Sequence, residues 1–321
     1  MPKVKPVRIL YILLLPLCLL LPSCFKDSAE FIPDYSYQVN SEWLINDLVG
    51  APTSNILSLQ GNTLFSLNEK VQLEIPEDGL KDHLGNIIKG NVKVEIKEYT
   101  ALKSDLLFCP TTITNNEVLN GQKLLSIKIS HNNAPVVYDK PINIYLETNQ
   151  KDEKTKLYVL ANGEEQQNWV QSYQINTITF GVWKPSGALE SIQGYRLSLK
   201  QEADWFLIGS SLGVKEKKLL NLEIENNPKR FTPKNTLAYF IGDDENNVVF
   251  KMDYDLGSNK FYTDKSLNDK QIKGKIIVIS QFADDHFEFG MTNAILNNDT
   301  QIKIKILSKS KEEIKAMLKA L

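Results

Sequence analysis

Strict alternation of apolar and polar residues is the feature that most limits what this chain can fold into. Val71, Leu73 and Ile75 alternate with Gln72 and Glu74, and Val92, Val94 and Ile96 alternate with Lys93, Glu95 and Lys97. A period of two puts successive side chains on opposite faces of a strand, so each segment predicts a strand with one dry and one wet face. Between them, Pro76, Gly79, Gly85-Asn86 and Gly90 are residues that turn a chain or let it leave a sheet. Further strands are expected at Ile56–Leu59, Leu64–Leu67, Leu124–Ile129, Ile142–Leu146, Leu157–Leu160, around Trp169 and at Ile175–Trp183. Asn115-Asn116, Asn120-Gly121, Asn132-Asn133-Ala134-Pro135 and Asn162-Gly163 separate several of these with turn chemistry. Many short strands without an intervening helical period predict an all-β sandwich or barrel.

Lys184-Pro185-Ser186-Gly187 is the strongest breaker in the middle of the chain, and it predicts a boundary between one β-sandwich over 52–187 and a second over 188–321. After it, Tyr195, Leu197 and Leu199, then Leu220, Leu222 and Ile224, and finally Ile302, Ile304 and Ile306 alternate again. Ile276–Ile279 is a continuous apolar run, which predicts a strand covered on both faces. One helix is expected, at the end. Ser310 and Glu313 fit a capping box, and Ile314, Met317, Leu318 and Leu321 form one apolar stripe that would pack on a sheet.

The first residues carry Lys3, Lys5 and Arg8, followed by an apolar run from Ile9 to Leu21 that is too short to span a bilayer. Leu21-Pro22-Ser23-Cys24 resembles the lipobox of bacterial lipoproteins, which implies a signal peptide over 1–23, cleavage before Cys24 and acylation of its thiol. An ordinary secretory signal with an incidental cysteine is the plainer alternative. Lipid anchoring would tether the protein to the bilayer through Cys24, with residues 24–51 as a spacer. Asp27 and Glu30 form only a thin acidic cluster after the cysteine, so the expectation is an outer-membrane lipoprotein whose facing, surface or periplasmic, stays open.

Removing those 23 residues from 321 leaves 298 and takes three of the 37 basic residues but none of the 39 acidic ones, for a net charge of −5. A mildly acidic chain without a Lys/Arg block argues against nucleic acid as a partner. With Cys18 in the signal and Cys24 acylated, Cys109 has no cysteine left to pair with, so stability must come from apolar core.

Candidate chemistry is sparse. Gly209-Ser210-Ser211-Leu212-Gly213 fits G-x-S-x-G with Ser211 as nucleophile, His286 downstream, and Asp243, Asp244 and Asp253 between them. That motif needs a strand-to-helix elbow in a parallel sheet, whereas the next segment alternates like another strand; a Gly/Ser-rich turn is the better account. Asp284, His286 and Glu288 would share a strand face and could hold a divalent ion with a fourth ligand, although a solvated turn is the commoner form of such a run. The Asp253–Gly257 loop, with Asp253 and Asp255, is similar to a calcium loop but has its glycine one position early, and Asp243–Asn247 is turn-like. Cys109, with His83 and His131 elsewhere, sits among Leu106, Leu107 and Phe108, which indicates an inert thiol. No carboxylate pair stands out for glycoside cleavage. Trp169, Trp183, Trp205, Tyr173, Tyr195, Phe206 and Tyr239 could form a sugar platform, but large aromatics in sandwiches are mostly core. No catalytic residue, metal or cofactor is expected.

The segment from Ile75 to Glu98, read as I-P-x-x-G-L-x-D-x-x-G-N-x-I-x-G-x-V-x-V-x-I-x-E, resembles the opening of the ZU5-like β-sandwich module as it occurs in surface lipoproteins of Bacteroidota. Lys156–Gly163 followed by Trp169 looks like the strand, turn and tryptophan that follow that core. Asp204-Trp205-Phe206-Leu207-Ile208 departs from the G-W-I-N-C-D of relatives and lacks both Asn and Cys. The resemblance covers about residues 55–210 and implies Ig-like or ZU5-like sandwiches that bind or scaffold, commonly with a second β-sandwich following. The expected function is a non-catalytic binding or structural module at the envelope, partnered with an envelope protein or a glycan. The alternatives are an envelope hydrolase using Ser211 or a carboxylate pair, and a glycan-binding lipoprotein working with a transporter.

Overall fold

A sheet built from alternating side chains has one apolar face and must bury it against another, and this chain does so three times over. The computed structural model describes residues 52–68, 70–99, 112, 114, 117–160, 169–213, 219–225, 230–243, 247–263, 271–296 and 300–321. The signal segment, Cys24, the spacer, Cys109 and the Asn162-Gly163 turn lie outside them.

The first sheet runs Thr53–Leu59 (β1), Gly90–Tyr99 (β5), Leu119–His131 (β6), Trp205–Ser211 (β14), Lys156–Leu160 (β10) and Trp169–Gln171 (β11), with Ala134–Pro135 (β7) also on β6. The second runs Thr177–Trp183 (β12), Ile192–Leu199 (β13), Ile142–Glu147 (β9), Val71–Ile75 (β3) and Thr63–Asn68 (β2). Their inner faces share one core, with Val71, Leu73 and Ile75 packed with Val92, Val94, Ile96, Ile127, Ile144 and Phe206. Leu80–Lys81 (β4) pairs with Val137–Tyr138 (β8) at one end.

The third sheet runs Asp253–Asp255 (β18), Lys260–Thr263 (β19), Leu220–Ile224 (β15) and Gln301–Ile304 (β22); β15 and β22 are parallel. The fourth runs Val249–Lys251 (β17), Thr236–Gly242 (β16), Ile272–Ala283 (β20), His286–Leu296 (β21) and Leu307–Lys309 (β23). Leu222, Ile224, Phe240, Phe250, Ile276 and Val278 fill the core of this second sandwich. The all-β class and the short C-terminal helix Lys311–Lys319 (α1), the one helix among the described residues, agree with the sequence reading.

The chain changes sandwich later than the Pro185 breaker. Strand β13 pairs with β12 and β9, and β14 pairs with β6 and β10, so both belong to the first sandwich, which ends at Ser211 and not at Gly187. The breaker instead turns the β12–β13 hairpin, whose register opens at Trp183 opposite Ile192. Gly187 takes a φ of +81°, a left-handed conformation that glycine adopts without strain.

A third apolar cluster joins the two sandwiches. Leu119, Leu124, Tyr158, Trp169 and Leu207 from the first sheet pack with Tyr239, Ile241, Val249, Ile277, Ile279, Phe287 and Phe289 from the fourth. Ile276 and Val278 therefore face one core and Ile277 and Ile279 the other, which is why the run is apolar without a break. Ile314 and Leu318 of α1 are buried in the same cluster, with Met317 and Leu321 against it. Hydrogen bonds stitch this seam. Thr112 N and Oγ1 donate to Val249 O at 2.8 and 3.0 Å, Thr112 Oγ1 accepts from Val249 N at 2.8 Å, and Gly121 N donates to Asn247 O at 3.1 Å. Both sandwiches accordingly lie in one compact unit.

Two outcomes follow from the seam and its helix. Ile277→Ala removes a wholly buried side chain and should cost about 2–5 kcal/mol, read by urea denaturation, with both sandwiches losing stability together in one transition. Ser310→Ala removes the acceptor that holds Glu313 N at 3.2 Å and should cost about 1 kcal/mol in the same assay.

Candidate functional site

Ser211 sits at the end of β14, opposite Leu119, and its Oγ accepts from Gly213 N at 3.0 Å. His286 is not among its partners. The next element among the described residues is the strand β15, and β14 pairs antiparallel on both sides, unlike the parallel sheet that a nucleophile elbow requires. Gly209 has a separate reason to be glycine: a Cβ there would lie 2.3 Å from Asn120 O, at the bulge where β14 shifts register on β6. The G-x-S-x-G match is therefore a close strand approach followed by a turn.

The Asp284, His286 and Glu288 group does not assemble as the alternation predicted. Ala283 pairs with His286, which places Asp284 and Asp285 in the turn between β20 and β21, not on a strand face. His286 Nε2 lies 3.8 Å from Glu288 Oε1, while Glu288 Oε2 is taken by Arg230, whose guanidinium packs over Phe231 and Phe282. In the Asp253–Gly257 segment, Asp255 accepts from Gly257 N at 3.0 Å and Ser258 N at 3.2 Å, so its carboxylate holds its own hairpin turn and sits below the usual carboxylate range because of those bonds. Among the described residues, no three His, Cys, Asp or Glu side chains converge in a metal-ligand group.

The aromatics divide. Trp169, Tyr195, Phe206 and Tyr239 are buried in core clusters, and Trp205 leans on Tyr99 at 5.2 Å between ring centroids. Trp183 lies on the outer face of the second sheet, its Nε1 donating to Gly194 O at 3.1 Å and the Arg196 guanidinium 4.2 Å from its ring centroid.

On the same face of that sheet, Glu74 on β3 is a buried carboxylate. Glu74 Oε2 accepts from Tyr145 OH at 2.6 Å and from Asn143 Nδ2 at 3.2 Å, and its Oε1 accepts from Ser186 N at 3.0 Å. Desolvation by burial acts to raise its pKa, but the bonds from Ser186, Tyr145 and Asn143 prevail and hold it below the usual glutamate value. This group fastens the β12–β13 turn onto the sheet, a structural role. The motif residue Asp82 behaves alike, its Oδ1 accepting from Leu84 N and Asn86 N at 2.9 and 2.8 Å to close the turn before Gly90.

A cleft of about 530 Å³ lies on the first sandwich. It opens beside β6 where the chain enters β14, at a point fixed by Ile127 N donating to Asp204 O at 3.0 Å. Ile127, Ile129 and Ala203 supply apolar lining, and Tyr138, Glu202 and Asp204 supply oxygen atoms. Lys93 pairs with Glu95 at 2.8 Å and Lys128 with Asp204 at 3.8 Å along the rim. Among the described residues the Glu202 carboxylate and the Tyr138 hydroxyl have no hydrogen-bond or ion-pair partner. Desolvation first, then the neighbouring Asp204 charge, raises the Glu202 pKa; burial, then the charges of Glu202 and Asp204, pushes the Tyr138 phenol well above its ordinary value.

Sequence reasoning did not find this cleft. Glu202 and Asp204 lie on the connection between β13 and β14, and Tyr138 ends a strand of two residues, 64 positions earlier than Glu202. Only the short acidic pair Glu202-x-Asp204 was visible in the sequence, and such pairs are common on surfaces.

No known family model matches the chain, and no curated protein does.

Glu74→Ala should lower stability by about 2–3 kcal/mol, because Tyr145 OH and Ser186 N lose their acceptor. Since folding depresses the Glu74 pKa, its ionised contribution is present above the ordinary value of 4.5 and is lost as pH falls through the lower folded value. The stability gap between the parent and Glu74→Ala, measured by thermal melting across pH, should therefore narrow below 4.5.

Proposed function

We propose that this chain is a non-catalytic binding module of the ZU5-like β-sandwich kind, held at the outer membrane through acylated Cys24, which takes its ligand in the cleft beside β6. The observation that carries the reading is that cleft, a concavity on a folded β-sandwich lined by Tyr138, Ala203 and charged side chains of both signs. Its support is a rigid one. The strand β6 beside the cleft is anchored from behind by Ile127 and Ile129, which are buried in the core of the first sandwich. Ser211 Oγ accepts from Gly213 N within its own turn, and Glu288 is paired with Arg230.

The lipid anchor is tested by feeding cells an alkyne-tagged fatty acid. Label should follow the full chain and vanish in Cys24→Ala, with the protein released from the membrane fraction; label that persists in the variant removes the anchor. The binding role is tested by mild cross-linking in intact cells with a tag after Leu321. Recovery of one envelope protein or a glycan in fixed ratio supports the module, while esterase or glycosidase turnover abolished by Ser211→Ala would replace it with a hydrolase.

A further inference from the structure

The edge of a β-sheet presents a row of unpaired backbone N–H and C=O groups, and β proteins blunt such edges with charges, bulges or very short strands. Most sheet edges among the described residues follow that rule. Strand β2 is interrupted by a register shift between Ser66 and Asn68, β18 carries Asp253 and Asp255, β22 carries Lys303, and β11, β17 and β23 are three residues long. Strand β12 does not. Its seven residues, Thr177–Trp183, include no charge and no proline, it pairs with β13 in unbroken register, and no described strand pairs with its other side.

The side of the first sandwich that β12 borders is also open. Strand β11 ends the first sheet, β12 ends the second, and residues 172–176 link the two. Val170 lies opposite Val159, and Val182 shares the alternation of Ile178 and Phe180. Val159, Ile178 and Phe180 all pack on the core, so both valines belong to the inner faces of their sheets. Yet Val170 is 47% exposed and Val182 is 68% exposed, and Tyr173 and Ile175 on the link are exposed beside them. Inner-face apolar side chains left in solvent next to an unpaired strand mark an edge that another strand closes.

We propose that β12 pairs antiparallel with β12 of a second copy of this chain, about a twofold axis at Phe180, so that the two five-stranded second sheets become continuous. The strand is complementary to itself in that register. Phe180 faces Phe180 of the second copy, Ile178 faces Val182, Thr179 faces Gly181 and Thr177 faces Trp183. The inner face then sets aromatic against aromatic and branched aliphatic against branched aliphatic, the pairs that stabilise neighbouring strands most. On the outer face the Trp183 ring lies over Gly181, where an added Cβ would come within 2.9 Å of it, and the residues opposite are the two small threonines. No like charges meet, because Lys184 just past the strand stands opposite Asn176. Strand β1, the other long uncharged edge, lacks this symmetry: about its own centre Asn55 would face Leu57. The inference goes beyond the binding-module reading and does not rest on the cleft.

The test is site-specific photocrosslinking of the full chain in intact cells, with p-benzoylphenylalanine in place of the exposed Ile175, alongside sedimentation of the unlabelled chain extracted in detergent. The expected results are an adduct of two copies, linked from position 175 to the β12–β13 turn of the second copy, and a dimer in sedimentation. Val182→Lys should weaken dimerisation by about tenfold or more, because each dimer then sets two ammonium groups against Ile178 of the opposite copy. The melting temperature of the dissociated chain should not change in that variant, since the side chain is exposed. Val182→Ile should keep the dimer. A monomeric parent, adducts that map only to another protein or to a different surface of the second copy, or full dimerisation of Val182→Lys overturns the assignment. Crosslinking to one envelope protein in place of a second copy removes the self-pairing and leaves the binding-module reading standing.

Discussion

The architecture depends on one apolar seam. A β-sandwich ordinarily presents two outer faces to water, but here the outer face of the first sheet and that of the fourth are packed against each other and closed by the terminal helix. Each large aliphatic or aromatic side chain in that layer is worth about 1.5–3 kcal/mol of burial. Leu119, Leu124, Leu207, Ile277, Ile279, Phe287 and Phe289 together give it a weight comparable to either sandwich core. Thr112, wholly enclosed and bonded to both N–H and C=O of Val249, shows how the polar backbone is satisfied where two separate β systems touch.

Much of this was legible in the residues, for reasons of period and chemistry. Alternation at 71–75 and 92–96 located strands because side chains on a pleated sheet must alternate, and Ser310 with Glu313 located the helix start because its free amides need an acceptor. The unbroken run at 276–279 indicated burial on both faces. What alternation cannot say is which other sheet supplies the second cover, since that contact joins residues such as Leu207 and Ile277 that are far apart in the chain. The division at Pro185 failed for a related reason. Lys-Pro-Ser-Gly chemistry announces a turn, and the same chemistry serves a hairpin within a sheet as well as a passage between sandwiches.

The site shows the opposite balance. Several local patterns that looked chemical are spent on shape among the described residues: Gly209 on a tight strand approach, Asp255 and Asp82 on their own turns, Glu288 on an arginine. The cleft residues Glu202 and Tyr138 stand where no motif pointed, because only folding brings β8 beside the entry into β14.

The seam also bears on how such a protein can change over generations. A sandwich with two wet outer faces is a portable unit that recombination can move, repeat or discard. Neither half of this chain has that freedom, because each carries one face made of Leu207-like or Ile277-like residues that only the other half covers. Fusion or duplication would therefore have to carry both halves together, and drift on one side of the seam would need an answering substitution on the other. The unit of inheritance is the pair.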